Sequence, residues 1–159
     1  MNITIVCVGK IKEKYFTSAI DEYKKRMSRF AKFNIIEVAD EKIPENPSQK
    51  EIDSVKDKEG HAILSKLKNN SSHVIALCIE GTELTSEQFA EKIARISMIS
   101  SNIVFIIGGS LGLSEDVKNI ADFKLSFGRM TLPHQLMRVV LSEQIYRAFK
   151  INNNENYHK

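Results

Sequence analysis

The sequence predicts an α/β fold in which a mainly parallel sheet is flanked by helices. Short runs rich in Ile, Val and Phe alternate along the chain with longer segments of helical spacing. The short runs are continuously apolar, which is typical of strands covered on both faces. No repeat, low-complexity tract or long linker divides the 159 residues. We therefore expect a single domain over residues 1–159.

The first forty residues predict a strand, a helix and a second strand. NITIVCV at 2–8 and FNIIEV at 33–38 are apolar runs with β-branched residues, and Gly9 and Lys10 end the first of them. Apolar residues within 14–29 recur at helical spacing and share one face. They are Phe16, Ala19, Ile20, Tyr23 and Met27.

A loop and a long helix follow. Residues 40–49 contain two prolines and predict a loop. Ser48 followed by Glu51 is the spacing of a capping box, in which each residue's side chain bonds the other's backbone at a helix N-terminus. The charged helix that begins there is expected to extend to Lys68, and NNSS at 69–72 predicts a turn.

The next strand and helix are expected between residues 73 and 99. HVIALCI at 73–79 predicts a strand, and Gly81 predicts a turn after it. Thr85 and Gln88 have the spacing of a second capping box, so a helix should run from there to about Ile99.

The last third of the chain predicts two strands and two helices. NIVFII at 102–107 is a strand, GGSLG at 108–112 a loop, and 115–120 a short helix. A fifth strand is expected near 122–127 and a final helix over 134–150, followed by a polar tail.

Composition and charge exclude several classes of protein. The longest wholly apolar run, Ile103–Ile107, is far shorter than the roughly 20 residues of a membrane helix. Cys7 and Cys78 form no CxxC motif, so we expect a cytoplasmic protein with reduced thiols and no contact with membranes. The net charge of +3 is mild. Basic residues cluster at 24–32 and again in 118–159; such clusters suit a polyanion but also suit the C-terminal ends of helices.

Two loops are candidates for a ligand site. GGSLG directly follows a buried strand, and ligands of open α/β sheets bind at the carboxyl ends of strands. The loop between Phe127 and His134 also lies between a strand and a helix, and Gly128 and Pro133 shape it. Thr131 and His134 could donate to a ligand there. Alternatively, GGSLG is only a tight turn and Thr131 only an N-cap.

The final predicted helix is apolar on almost all sides. A helix of this kind is buried on more than one side, which in a small chain predicts a homodimer. Its apolar residues are Leu136, Met137, Val139, Val140, Leu141, Ile145, Tyr146, Ala148 and Phe149. His134 and Arg138 lie one turn apart and could line a pocket. Glu143 and Arg147 have the spacing of a helix-surface ion pair.

The chain ends in Tyr157-His158-Lys159, which can stack on a base, exchange a proton and contact a phosphate, or can simply fray. His61 and His73 have no partners at metal-ligand spacing, so no metal site is expected. Both cysteines lie in predicted core strands and are expected to be small core residues.

Four stretches together resemble the ribosomal RNA large subunit methyltransferase H family, of the SPOUT class. They are MNITIVCVGKIKEKYF, IIGGSLGLSEDV, LSFGRMTLPHQLMRVVLSEQIYRAFKI and the final YHK. The resemblance covers essentially the whole chain, and MTLPHQLMRVVLSEQIYRAF is its most specific part. It implies a C-terminal trefoil knot and a homodimer with the active site at the subunit interface. It also implies methyl transfer from S-adenosylmethionine to N3 of a pseudouridine in the helix 69 loop of 23S rRNA, on the assembled ribosome.

The resemblance also implies roles for individual residues. Those expected to hold the cofactor are Leu77, Gly108, Phe127, Gly128, Arg129, Met130, Thr131 and Leu132. Those expected to face the RNA are His134, Arg138, Tyr157, His158 and Lys159. Among the latter, Arg138, Tyr157 and His158 are the candidate catalytic residues, and His158 is the candidate proton acceptor.

The tail departs from the family pattern, which usually ends in a Gly-Glu-Pro-Tyr-His-like sequence. Asn154 and Asn156 stand where that pattern has Gly and Pro, so we expect a more mobile tail and slower catalysis. Two alternatives follow: a non-catalytic ribosome-binding factor that retains the fold, and an α/β enzyme acting on a small nucleotide. Binding of S-adenosylmethionine would argue against the first, and activity without ribosomes would favour the second.

Overall fold

The computed structural model describes residues 1–67 and 71–157, and within them the chain alternates strands and helices as predicted. The elements are β1 (Asn2–Val8), α1 (Lys14–Met27), β2 (Lys32–Val38), α2 (Gln49–Leu67), β3 (His73–Glu83), α3 (Ser86–Ser97), β4 (Asn102–Ile107), α4 (Glu115–Asn119), β5 (Phe123–Ser126) and α5 (His134–Asn152). The predicted helix end at Lys68 and the first part of the predicted turn, residues 69 and 70, lie outside the described residues.

The five strands form one parallel sheet in the order β2-β1-β4-β3-β5. Helices α1, α3 and α5 cover one face, over a core that includes Ile5 and Phe105. Helices α2 and α4 cover the other face, where Ile63, Ile106 and Val117 are buried. The prediction of an α/β fold with a parallel sheet covered on both sides is confirmed.

Both predicted capping boxes are present. The Ser48 N–H donates to Glu51 Oε2 at 2.8 Å, and the Glu51 N–H donates to Ser48 Oγ at 3.3 Å. At the start of α3, Thr85 and Gln88 make the same reciprocal pair, at 2.9 and 3.2 Å. These short-range signals locate both helix starts because each satisfies backbone N–H groups that a helix N-terminus leaves free.

The prediction of a turn at Gly81 is wrong, because β3 continues through this residue to Glu83. The pairing of β3 with β5 shifts register between Leu77 and Thr82, which brings the two backbones unusually close. A Cβ on Gly81 would lie 2.7 Å from the carbonyl carbon of Leu125 and 2.8 Å from that of Lys124. The glycine is therefore used for close approach of two strands.

Asn154 makes the bend that follows α5. Its φ of +53° is left-handed, and Asn is one of the few residues besides Gly that adopts this region readily. The Asn154 N–H donates to the Ile151 carbonyl at 3.0 Å and the Glu155 N–H to the Lys150 carbonyl at 2.9 Å. This is the Schellman pattern of helix ends. Asn154, which stands where the resembled pattern has Gly, thus ends the helix in an ordered left-handed bend.

Asn154→Gly is expected to strengthen this helix end by about 0.5–1 kcal/mol, because Gly enters the left-handed region without the Cβ penalty. Asn154→Ala is expected to weaken it by a similar amount. Hydrogen exchange of the Glu155 amide, with urea unfolding alongside, measures both effects. Equal protection in the three proteins would show that the left-handed bend does not limit the stability of this end.

Candidate functional site

A cavity of about 350 Å³ opens at the carboxyl ends of three neighbouring strands. Leu77 of β3 pairs in register with Ile107 of β4 and with Leu125 of β5. The residues that follow these positions therefore converge at one edge of the sheet. The volume is within the range of small-molecule pockets, and the position is where open α/β sheets bind ligands.

Seven of the eight residues predicted to hold a cofactor line this cavity. They are Leu77, Gly108, Phe127, Gly128, Met130, Thr131 and Leu132. Arg129 is exposed and lies outside the lining. The two loops that the sequence singled out, after β4 and after β5, thus form facing parts of one cavity.

Large apolar side chains are left open to solvent in this cavity. Met130 is 84% exposed, Ile79 56% and Phe127 37%, and all three line it. Exposed apolar side chains gathered at one concave site are typical of a binding surface for an apolar or planar group. The arrangement suits an aromatic ring system such as a nucleobase.

The loop after β4 is folded tightly upon itself. A Cβ on Gly108 would lie 2.8 Å from the carbonyl carbon of Gly112, and Gly112 has a φ of +83°. The Gly112 N–H donates to the Gly109 carbonyl at 3.0 Å and closes the loop. Glycine at 108 therefore lets the loop pack closely against its own backbone at Gly112.

The loop after β5 is shaped by Ser126 and Gly128. Buried Ser126 accepts the Gly128 N–H through its Oγ at 3.1 Å, and Gly128 has a φ of +110°. The alternative that Thr131 caps α5 is wrong, because the N-cap is Pro133 and no side chain bonds the helix start. The Thr131 side chain is exposed at the cavity.

An ion pair closes one side of the cavity. Lys118 Nζ pairs with Glu80 and, at 3.1 Å, with Glu115. The hydrogen bond to Glu80 raises the pKa of Lys118, and the same bond lowers the pKa of Glu80, so both groups are charged at neutral pH. Cys78 also lines the cavity, and burial raises the pKa of its thiol, so it is not an activated nucleophile.

His134 stands at the junction of this cavity and a smaller one of about 260 Å³. Burial lowers the pKa of His134, as does the charge of Arg138. The imidazole is therefore neutral at pH 7 and can donate or accept a proton. The smaller cavity is acidic, with Asp40, Glu41 and Glu59 in its wall.

Glu59 is a buried carboxylate, and only one of its two oxygens has a hydrogen-bond partner among the described residues. Its exposed fraction is 5%, its Oε1 accepts the Glu41 N–H at 3.1 Å, and its Oε2 has no partner among the described residues. Burial raises the pKa of Glu59 above its ordinary value. Between the ordinary and the raised pKa the folded protein binds the extra proton, so this group makes stability fall as pH rises through that interval.

Glu59→Gln is accordingly expected to remove part of that pH dependence. The variant should lose less stability than the wild type when pH rises from about 5 to about 8, because glutamine cannot ionise. Urea unfolding at both pH values measures the difference, with Glu45→Gln, at an exposed position of the same loop, as the control. Parallel pH profiles for the wild type and Glu59→Gln would contradict an ionisable, buried Glu59.

Arg138 does not line the cavity with His134, contrary to prediction, because it is completely buried. Its Nη1 donates to Glu37 Oε1 at 2.9 Å, and its Nη2 donates to the carbonyls of Val8 and Gly9 at 2.6 and 2.8 Å. The guanidinium thus ties α5 to the ends of β1 and β2. Its position does not support the predicted role as a residue that contacts substrate.

Tyr157 lies against α5 rather than at the cavity. Its hydroxyl donates to Glu143 Oε1 at 3.1 Å, and the Arg147 guanidinium lies 4.8 Å from its ring centre. The predicted ion pair of Glu143 and Arg147 is confirmed, at 2.5 Å. Burial raises the pKa of Tyr157, so the phenol stays protonated. His158 and Lys159 lie outside the described residues.

Several residues at or near the site were not predicted from sequence. Ser126 and Cys78 adjoin predicted strand ends, and that adjacency was a usable signal. Lys118 and Glu59 reach the site through tertiary packing of α4 and α2, which no local pattern reports. Within residues 1–67 and 71–157, no group of three or more His, Cys, Asp or Glu could hold a metal ion. In the same part of the chain, no helix is long and apolar enough to cross a membrane.

Comparison with known proteins identifies similar chains over the full length. The family described as "Predicted SPOUT methyltransferase" matches residues 1–158. Proteins named ribosomal RNA large subunit methyltransferase H, from Clostridioides difficile (strain 630) and Lactiplantibacillus plantarum, are 58% and 59% identical over all of both chains. A solved structure described as a probable methylase family protein from Haemophilus influenzae Rd KW20 aligns with a TM-score of 0.59 at 16% identity. It covers 99% of this chain and 70% of that one, and supports the fold.

Proposed function

This chain belongs to the SPOUT methyltransferase family, and we propose that it methylates N3 of a pseudouridine in the helix 69 loop of 23S rRNA. The methyl donor in this proposal is S-adenosylmethionine, and the substrate is the assembled ribosome in the cytoplasm. Relatives named for ribosomal RNA large subunit methylation, at 58–59% identity over the full length, support the rRNA substrate.

The observation that carries the proposal is the convergence of two glycine-shaped loops and exposed apolar side chains on one cavity. Met130 and Phe127 offer apolar contacts for an adenine ring, and Leu77 lies between the two loops. Gly108, which lets the loop after β4 fold tightly, lies in the wall of the same cavity. The residues present therefore suit S-adenosylmethionine, and we propose that the predicted set, from Leu77 to Leu132, holds it.

The residues of the chain would contribute mainly positioning. When bound, S-adenosylmethionine would supply an activated methyl group on its sulfonium for transfer to N3 of the pseudouridine, with S-adenosylhomocysteine as the leaving group. The N3 imide must also lose its proton, and we propose His158 as the acceptor. Neutral His134 stands beside the cavity, where it can orient the RNA. Holding the two reacting atoms in line supplies much of the rate, because the donor is already activated.

The position of Tyr157 supports a homodimeric active site. Glu143, its partner, is nine residues beyond His134 on α5, which is roughly 14 Å along the helix axis. Tyr157 therefore lies away from the cavity of its own chain. We propose that the chain is a single domain with the trefoil knot of its class, and that it dimerises through α5 so that each tail completes the partner's site. Light scattering is expected to give twice the mass of one chain.

Transfer of labelled methyl from S-adenosylmethionine to ribosomes lacking the modification tests this proposal. Label is expected on ribosomes, mapped to the helix 69 pseudouridine, and not on free 23S rRNA. Calorimetric binding of S-adenosylhomocysteine provides a second measurement. Cofactor binding without any labelling would refute the proposed substrate, and loss of both would refute the methyltransferase assignment.

His158→Ala tests the proposed proton acceptor in the same assay. We expect single-turnover methylation to slow by about 10²–10⁴-fold, the usual contribution of a general base, with cofactor affinity unchanged. An unchanged single-turnover rate would remove His158 from this role. Lys159→Ala is the matched control at the adjoining position and is expected to affect ribosome binding rather than the chemical step.

A further inference from the structure

The segment of residues 10–15, between β1 and the first turn of α1, carries three lysines and one glutamate, the exposed Glu13, and so has a net positive charge. Lys10, Lys12 and Lys14 are all exposed, and Tyr15 beside them is 65% exposed. Within the described part of the chain, none of the three ammonium groups forms an ion pair with a carboxylate. We refer to residues 10–15 as the lysine segment.

The backbone of the lysine segment is held by the helix that begins at the cavity. The Lys12 N–H donates to Gln135 Oε1 at 3.3 Å, in the first turn of α5. The Ile11 N–H donates to Glu37 Oε1 at 3.0 Å, and Glu37 is in turn bound by Arg138 of α5. The lysines therefore have a fixed position relative to His134 and the cavity, and little backbone order has to be gained on binding.

The two arginines of the other basic cluster, residues 24–32, are less suited to binding a polyanion at the site. Arg26 pairs with Glu22, and Arg29 pairs with Glu155. Arg29 also lies near Met1, at the amino-terminal end of the sheet, away from the cavity. Lys24, by contrast, lies beside Lys10.

The charges around the cavity differ from one side to the other. On one side, the loop after β2 supplies Asp40 and Glu41 together with Lys42, so its net charge is negative, and Glu59 is buried beneath it. The lysine segment lies on the side of β1 and α1. A phosphate backbone is repelled by the first side and attracted by the second.

We propose that the lysine segment binds the phosphate backbone of the rRNA next to the target nucleotide. The exposed ring of Tyr15 offers an unpaired base a surface on which to stack, as aromatic side chains do in single-stranded RNA recognition. This inference rests on the proposed function, because it takes the ribosomal RNA as the ligand. It assigns the binding of substrate to a surface that is separate from the cofactor loops.

A charge-neutral triple variant tests the assignment: Lys10→Gln, Lys12→Gln and Lys14→Gln together. The matched control replaces three exposed lysines of α2 in the same way, Lys50→Gln, Lys58→Gln and Lys66→Gln. Ribosome binding is measured by co-sedimentation from about 50 to 300 mM KCl. If each lysine contacts a phosphate, the slope of log affinity against log salt becomes shallower by about 2–3 in the first variant. The control keeps the wild-type slope.

Kinetics and cofactor binding separate this surface from the cofactor site. The lysine-segment variant is expected to raise the KM for ribosomes by about tenfold or more, with kcat and calorimetric affinity for S-adenosylhomocysteine unchanged. Tyr15→Ala is expected to weaken binding and Tyr15→Phe to restore it, because stacking needs only the ring.

An unchanged salt slope, or an equal loss in the α2 control, would overturn the assignment. Failure of the proposed function gives a different pattern. In that case no ribosome would be methylated even by the wild type, whereas the binding experiment would still report whether the lysine segment contacts the ribosome.

Discussion

Arg138→Met is expected to lower the free energy of unfolding by about 3–5 kcal/mol, the usual cost of removing one partner from a buried charged network. Methionine replaces the aliphatic part of the side chain but not the guanidinium, so it leaves the Val8 and Gly9 carbonyls without their donor. Glu37 would lose its charged partner and keep the Ile11 N–H, and because it is partly exposed it can be solvated. Urea unfolding measures the change.

Two control variants separate loss of the buried network from loss of an arginine elsewhere and from loss of the positive charge alone. Arg95→Met removes an exposed pair on α3 and is expected to cost less than about 1 kcal/mol. Arg138→Lys keeps the charge, but one nitrogen cannot span three acceptors, so it should recover only part of the loss. A loss below about 1 kcal/mol in Arg138→Met would show that the network does not hold α5 to the sheet.

Gly81→Ala is the second substitution with a large expected effect, because it adds one methyl group between two backbones. The new Cβ would lie 2.7–2.8 Å from main-chain atoms of Lys124 and Leu125, and backbone atoms cannot rotate away as a side chain can. Strand β5 must move, at a cost of about 1–3 kcal/mol. The movement carries the loop after β5, so affinity for S-adenosylhomocysteine should fall at least tenfold.

Gly112→Ala provides the contrast for this experiment. Its Cβ would meet nothing within 4 Å, but its φ of +83° strains any other residue by roughly 1–2 kcal/mol. Urea unfolding measures the stability that each variant loses, and calorimetry measures its affinity for S-adenosylhomocysteine. The effect of a steric clash at Gly81 can then be compared with that of backbone strain at Gly112. If Gly81→Ala binds cofactor like the wild type, the close approach of β3 and β5 does not set the geometry of the cavity.

Local sequence patterns were sufficient to predict the strands and helices, but they do not report contacts between residues that are distant in sequence. The strands were predictable because a strand covered on both faces must be continuously apolar. The helix starts at Ser48 and Thr85 were predictable because a cap and its partner are three residues apart.

The predictions for Arg138 and Gly81 were wrong for the same physical reason, because the contacts that explain both residues are distant in sequence. Arginine is rarely buried, and the carbonyls that make burial of Arg138 favourable are 129 and 130 residues away. Gly81 was interpreted as a turn because glycine often ends a strand, whereas its actual reason is the backbone of β5, more than forty residues later. The two cavity loops were found from sequence because each directly follows a strand.

The order of the strands also has consequences for how the chain acquires its structure. Strand β4 lies between β1 and β3, and its Asn102 pairs with Asn2, a hundred residues earlier. The edge of β1 on that side stays open until two-thirds of the chain has been synthesised. Closure of such distant pairs is slow, with folding times on the order of milliseconds to seconds in sheet-rich domains. During synthesis the β1–β2 pair therefore exposes an unpaired strand edge and apolar faces, and this interval is when the nascent chain is most exposed to aggregation.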